Sequence, residues 1–211
     1  QWGQSDYCIV SLVFHEQAYD LSASISQYEY QLRVRHLPDY PFHASPLMNG
    51  KGNYKHLGLD VRKRMLGCFA TFCRSAPFSC KTFVYRRREV PTPDSFIARF
   101  KRDLVIFLSD HLGYFQSFSC VKIYYDNGQQ MITESLHAAL DFMLSSKSIL
   151  YRMVSQKKYR LSQIADYVCA LALVNAKYMS DGLTETDVKV FGTNYSAFKK
   201  NYMKHIAKKE M

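Results

Sequence analysis

Four short runs rich in β-branched and aromatic residues punctuate this chain: Tyr7 to Phe14, Ser79 to Arg87, Ser119 to Tyr125 and Ser148 to Val154. Between them lie longer segments whose apolar residues recur at helical spacing. Leu21 to Leu37 places Leu21, Ile25, Tyr28 and Leu32 on one side and stops before Pro38, and Leu59 to Ser75 repeats the pattern with Val61, Met65, Cys68, Phe69 and Phe72. Asp94 is the expected cap of a long helix reaching about Tyr114. Met131 to Leu144 and Leu161 to Met179 supply two more, and a short helix is expected after Asn194. Asp39 to Asn53, with two prolines and the turn Gly50-Lys51-Gly52-Asn53, reads as a loop. Alternation of this kind predicts a single α/β domain with a mixed or mostly parallel sheet.

A length of 211 residues with 47% hydrophobic and 22% charged residues suits one globular domain and excludes a disordered chain. The formal net charge of +10 makes nucleic acid a natural partner, with a basic protein lacking any such partner as the alternative. The six cysteines contain no CxxC pair, so no structural zinc site is expected. Cys8, Cys120 and Cys169 sit in apolar runs, as free thiols of a reducing, cytoplasmic compartment would. No apolar run approaches the roughly 20 residues of a membrane span, so no membrane partner is expected. The chain starts at Gln1 and reaches a strand within about seven residues, so a further strand is expected upstream of residue 1.

The segment Gln163-Ile164-Ala165-Asp166-Tyr167-Val168-Cys169-Ala170-Leu171 contains one acid among apolar neighbours. At 100° per residue, Leu161, Ile164, Ala165, Val168 and Ala172 form the expected core stripe. Asp166 lies off it, yet Cys169, Ala170 and Leu173 at its i+3, i+4 and i+7 positions are no solvent face. A carboxylate there must be protonated, paired or holding a metal ion. Gln163 shares its side. Asp126 closes the third strand before Asn127-Gly128; there Val121, Ile123 and Tyr125 take one face, and Cys120, Lys122, Tyr124 and Asp126 the other. Taken alone, Asp126 reads as turn chemistry. Paired with Asp166, it would offer the oxygen ligands that a divalent cation prefers. His43 and His56 fall in or near the loop. Neither a phosphate-binding loop, a dinucleotide fingerprint nor a Ser/His/Asp or Cys/His signature is present. Arg86, Arg87 and Arg88 are either a solvated strand exit or contacts to a polyanion.

Three stretches in order carry a resemblance: Phe42-His43-Ala44 with Met48-Asn49-Gly50-Lys51-Gly52; Tyr124-Tyr125-Asp126-Asn127; and Ser155-Gln156-Lys157-Lys158 with Gln163-Ile164-Ala165-Asp166. Together they resemble a large, uncharacterised prokaryotic family of the ribonuclease H-like superfamily. Its members open with an Asp-Glu-Ser-Gly strand, continue through Phe-His-Ala and finish with Gln-x-Ala-Asp on a helix. The resemblance covers most of the chain and implies a ribonuclease H-like fold, a central mixed sheet flanked by helices. It further implies a metal-dependent nuclease that hydrolyses DNA or RNA with two Mg2+ or Mn2+ ions. Carried over, Asp126 and Asp166 would be metal ligands. His43 would be an accessory catalytic residue, and Gln163 would orient the carboxylate or a metal-bound water. Arg86, Arg87, Arg88, Lys157 and Lys158 would contact nucleic acid. The Asp-Glu-Ser-Gly strand is absent from these residues. The alternative reading is an inactive module of the same fold that binds nucleic acid, a protein partner or a second copy through its 16 Tyr and 14 Phe.

Overall fold

The computed structural model describes residues 5–125, 130–144, 149–153 and 159–211. It is a mixed α/β protein: β1 (Tyr7–Phe14), α1 (Ser22–Val34), α2 (Ala44–Asn49), α3 (Leu59–Ser75), β2 (Ser79–Arg86), α4 (Pro93–Asp110), α5 (Leu112–Gln116), β3 (Val121–Tyr125), α6 (Gln130–Met143), β4 (Ile149–Met153), α7 (Arg160–Tyr178), α8 (Glu185–Phe191), α9 (Tyr195–Phe198) and, after a π-helical turn, α10 (Lys204–Ala207). No helix of the described residues is long and apolar enough to cross a membrane.

In place of one central sheet, the strands among the described residues pair two by two, β1 with β2 and β3 with β4. Arg87 N–H donates to Asp6 O at 2.8 Å, and the Ser11 and Thr82 hydroxyls meet at 3.1 Å, so β1 and β2 run antiparallel. The far edge of β2 is taken by the C-terminal residues, through Cys80 N–H to Lys209 O (2.8 Å) and Met211 N–H to Cys80 O (2.9 Å). Only Val10 of β1 is buried, which is not how a strand covered on both faces looks. β3 and β4 are parallel and joined through α6, a βαβ unit.

The chain divides into two compact units. The first comprises Gln1–Cys8 and Tyr85–Ser162. Its core is the α4 face Phe96, Phe100, Leu104, Phe107 and Leu108, together with Ala139 and Leu140 of α6. Thr92, not Asp94, caps α4: its Oγ1 accepts from Ser95 N–H at 3.1 Å, and Ser95 Oγ accepts from Thr92 N–H. Pro93 explains the shift, because its fixed φ suits the first helical position and makes the preceding residue the cap. The helix stops at His111, short of Tyr114, and a separate short helix follows. Cys120, though it sits in an apolar run, is exposed.

The second unit comprises Ile9–Val84 and Gln163–Met211 and has an aromatic centre. Phe42 stacks on Phe69 (centroids 3.9 Å apart, planes 11° apart), Tyr167 meets both edge-on at 5.8 and 5.6 Å, and Tyr28 contacts Phe69 and Phe72. The buried stripe of α7 is Gln163, Ile164, Tyr167, Val168, Leu171 and Val174. That is rotated from the stripe the spacing suggests, because the aromatic cluster claims the Tyr167 side. The Asp39–Asn53 stretch contains α2, whose Pro46 lies in the first turn and so costs the helix no hydrogen bond.

Candidate functional site

Phe42 is an apolar anchor. Its burial between Phe69 and Tyr167 brings the next two residues, His43 and Ala44, against the side of α7. There Gln163 and Asp166, three positions apart on one helix face, receive them. Gln163 Oε1 accepts from Phe42 N–H at 3.1 Å, and Asp166 Oδ2 accepts from Ala44 N–H at 2.8 Å and from His43 Nδ1 at 2.7 Å. The two motifs singled out in the sequence, separated by about 120 positions, are therefore joined by three hydrogen bonds within one unit.

Asp166 is paired, with an imidazole and a main-chain amide. Its side chain is 22% exposed and that of His43 is 48% exposed, so the pair faces solvent. A carboxylate oxygen only accepts, so His43 Nδ1 carries the proton in this contact, and in a neutral ring Nε2 is then the nitrogen with the lone pair. Among the described residues nothing donates to Asp166 Oδ1.

The His43 loop is locked from both ends. The Tyr54 hydroxyl donates to Pro41 O (3.0 Å) and accepts from His43 N–H (3.3 Å). Burial, reinforced by the nearby Asp166 carboxylate and opposed by the His43 amide, pushes that hydroxyl up to about 12, so it remains a donor at neutral pH. Downstream, Gly50 closes α2 in the left-handed conformation (φ 63°), where a side chain would be strained and would crowd the Arg62 guanidinium at 3.3 Å. Arg62 Nη1 donates to Leu47 O and Met48 O at 2.7 and 2.6 Å, satisfying carbonyls that α2 leaves open. Tyr54 and Arg62 carry no motif, and nothing in their local sequence signals this role.

Gln163 is fully buried, and its Oε1 is used on Phe42 N–H. Replacing it with Leu leaves that amide without its acceptor. Gln163→Leu is therefore expected to cost about 1–3 kcal/mol, read as a lower urea midpoint at unchanged slope.

Cys169, one turn beyond Asp166, is not poised as a nucleophile. Its Sγ lies 3.7 Å from Ile9 O, and burial, with the Asp166 carboxylate adding to it, pushes the thiol up to about 11. His56 is exposed and meets Tyr40 Oη at 3.3 Å, apart from these contacts.

Asp126, Lys157 and Lys158 lie outside the described residues. Among the described residues no three His, Cys, Asp or Glu side chains gather as a metal cluster. In the first unit, Arg86 and Arg88 are exposed. Arg87 is half-buried and donates through Nε to Ser5 O at 2.7 Å, pinning the chain ahead of β1. Comparison with family models, with curated proteins and with solved structures finds no match to this chain.

Proposed function

We propose that the protein is a metal-dependent nuclease of the ribonuclease H-like kind, hydrolysing phosphodiester bonds at the His43–Asp166 pair. The observation that carries this reading is the 2.7 Å contact between His43 Nδ1 and Asp166 Oδ2 beside solvent, with Oδ1 open among the described residues.

Asp166 fits a cation at one oxygen only. Oδ2 is committed to His43 and Ala44, so Oδ1 would be the ligand. Bound Mg2+ or Mn2+ would supply an acidified water and neutralise the charge developing on the phosphate. The chain's own residues do the rest. Asp166 fixes the tautomer and direction of His43, and His43 Nε2 takes a proton from the attacking water as its oxygen bonds to phosphorus. The bond to the leaving oxygen breaks, and that oxygen takes its proton from solvent. Gln163, Tyr54 and Arg62 hold the loop that presents the imidazole.

The same clasp would serve as a purely structural lock in a non-catalytic module, so the test must separate the two. Labelled DNA and RNA oligonucleotides are incubated with Mg2+, Mn2+ or a chelator. Cleavage that appears with either metal and vanishes with the chelator supports the nuclease. Salt-sensitive binding without cleavage under any metal supports the module instead.

A further inference from the structure

A parallel sheet is normally covered on both faces. Among the described residues of the βαβ unit of β3 and β4, α6 covers only one. The register pairs Val121 with Ile149 and Ile123 with Tyr151, and the Tyr151 hydroxyl reaches Asp141 of α6 at 2.7 Å, which marks the covered side. Alternation then puts Lys122 and Tyr124 of β3 beside Leu150 and Arg152 of β4 on the opposite face. All four are exposed, with Tyr124 39% and Leu150 44% accessible. Tyr159, 40% accessible, lays its ring against Tyr124 with centroids 5.2 Å apart and planes 35° apart.

This open face therefore carries two tyrosine rings, an aliphatic side chain and two cations. Neither Lys122 nor Arg152 makes an ion pair among the described residues, although Arg99, Arg102, Lys177 and Lys189 do. Arg152 is the cross-strand partner of Tyr124, and Lys122 precedes Tyr124 by two positions on the same face. Rings that expose a π-surface and are flanked by cations without an ion pair among the described residues match one polymer: flat bases joined by phosphates. Duplex buries its bases and offers rings nothing to stack on.

We propose that the open face of β3–β4 is a stacking platform for single-stranded nucleic acid. Tyr124 and Tyr159 take bases, and Lys122 and Arg152 take the phosphates beside them. The proposal rests on the nuclease reading only in naming the substrate's strandedness; binding itself needs neither metal nor Asp166.

The test is fluorescence anisotropy of the full chain with labelled 12-nucleotide probes in chelator: a single strand, a duplex of the same sequence, and an abasic strand with the same phosphates. The wild type is expected to prefer the base-bearing single strand. Tyr124→Ala and Tyr159→Ala should each weaken that binding about tenfold to a hundredfold, while Tyr124→Phe keeps it and the abasic strand binds all variants alike. Wild-type affinity in both alanine variants overturns the proposal. So does equal wild-type binding of the abasic strand or the duplex, a result that stands even if an alanine variant fails to fold. A dimer that dissociates in Tyr124→Ala also overturns it, because a second copy would then own the face. Metal-dependent cleavage that persists alongside any of these results rejects the platform alone. Stacking without cleavage rejects the hydrolysis alone.

Discussion

Asp166→Asn is expected to lower metal-dependent cleavage by about three to four orders of magnitude while the protein still folds and still binds nucleic acid. That is the scale of loss when a histidine base is deprived of its carboxylate partner. The substitution is nearly isosteric. The amide oxygen of Asn can still accept from Ala44 N–H and His43 Nδ1, the two donors that Asp166 Oδ2 receives at 2.8 and 2.7 Å. What disappears is the charge, and with it both the support for a protonated His43 and the anionic Oδ1 that would hold a cation. Exchanging charge-assisted hydrogen bonds for neutral ones at a partly exposed site costs about 1 kcal/mol, which in a chain of this size lowers Tm by roughly 2–4 °C. Cleavage rates under saturating metal, beside a thermal melt and the anisotropy binding curve, decide the matter. If cleavage survives in Asp166→Asn, the pair is a structural clasp and the chemistry lies elsewhere. If the fold collapses, Asp166 is chiefly the keystone of the α7–loop contact.

Removing the Asp187 carboxylate is expected to be the most damaging single change to stability among those considered, about 3–5 kcal/mol for Asp187→Ala. Asp187 is almost fully buried, and its Oδ2 is shared by three donors: Lys177 Nζ at 2.7 Å, Thr184 Oγ1 at 2.7 Å and Thr184 N–H at 2.9 Å. It closes the capping box of α8, with Thr184 Oγ1 accepting in return from Asp187 N–H. Alanine would strand the Lys177 ammonium, itself only 18% exposed, without its counter-ion. Restoring charge balance in the double variant Asp187→Ala/Lys177→Met should recover part of the loss, as removing both members of a buried pair is far milder than removing one.

The same group sets an acid limit. Burial alone would raise the Asp187 carboxyl, but the Lys177 and Thr184 hydrogen bonds outweigh it and hold it below its ordinary value of 3.8. A depressed carboxyl contributes stability that is fully present above the unfolded value and is lost as pH falls through the folded one. Wild-type unfolding free energy should therefore drop as pH falls below about 4, and the Asp187→Ala protein should lack that part of the slope. Urea melts at pH 7, 5, 4 and 3 measure both; parallel slopes in the two proteins would contradict the assignment.

The elements themselves were largely legible. The apolar spacing of Leu59 to Ser75 matches α3 residue for residue, and the strand runs at Tyr7, Ser79, Val121 and Ile149 all form, because local period and β-propensity decide these without help from the rest of the chain. Helix ends were less legible: a proline moved the α4 cap to Thr92, and α8, seven residues long, has too few turns for a period to stand out. The short motifs drew attention to Phe42-His43-Ala44 and to Gln163 and Asp166, but Arg87 reads as one of three surface arginines until its bond to Ser5 O is seen.

What local sequence determined here is which segments become helices and strands and which few polar residues stand in apolar company. Tertiary structure alone decided what those residues touch. Asp166 meets His43 because Phe42 stacks on Phe69 and carries its neighbours to α7, and Gln163 braces a loop amide because that amide is buried beside it. No periodicity encodes such contacts. They follow from burying an aromatic ring about 120 residues away in sequence, and from the cost of leaving any buried polar group unpaired.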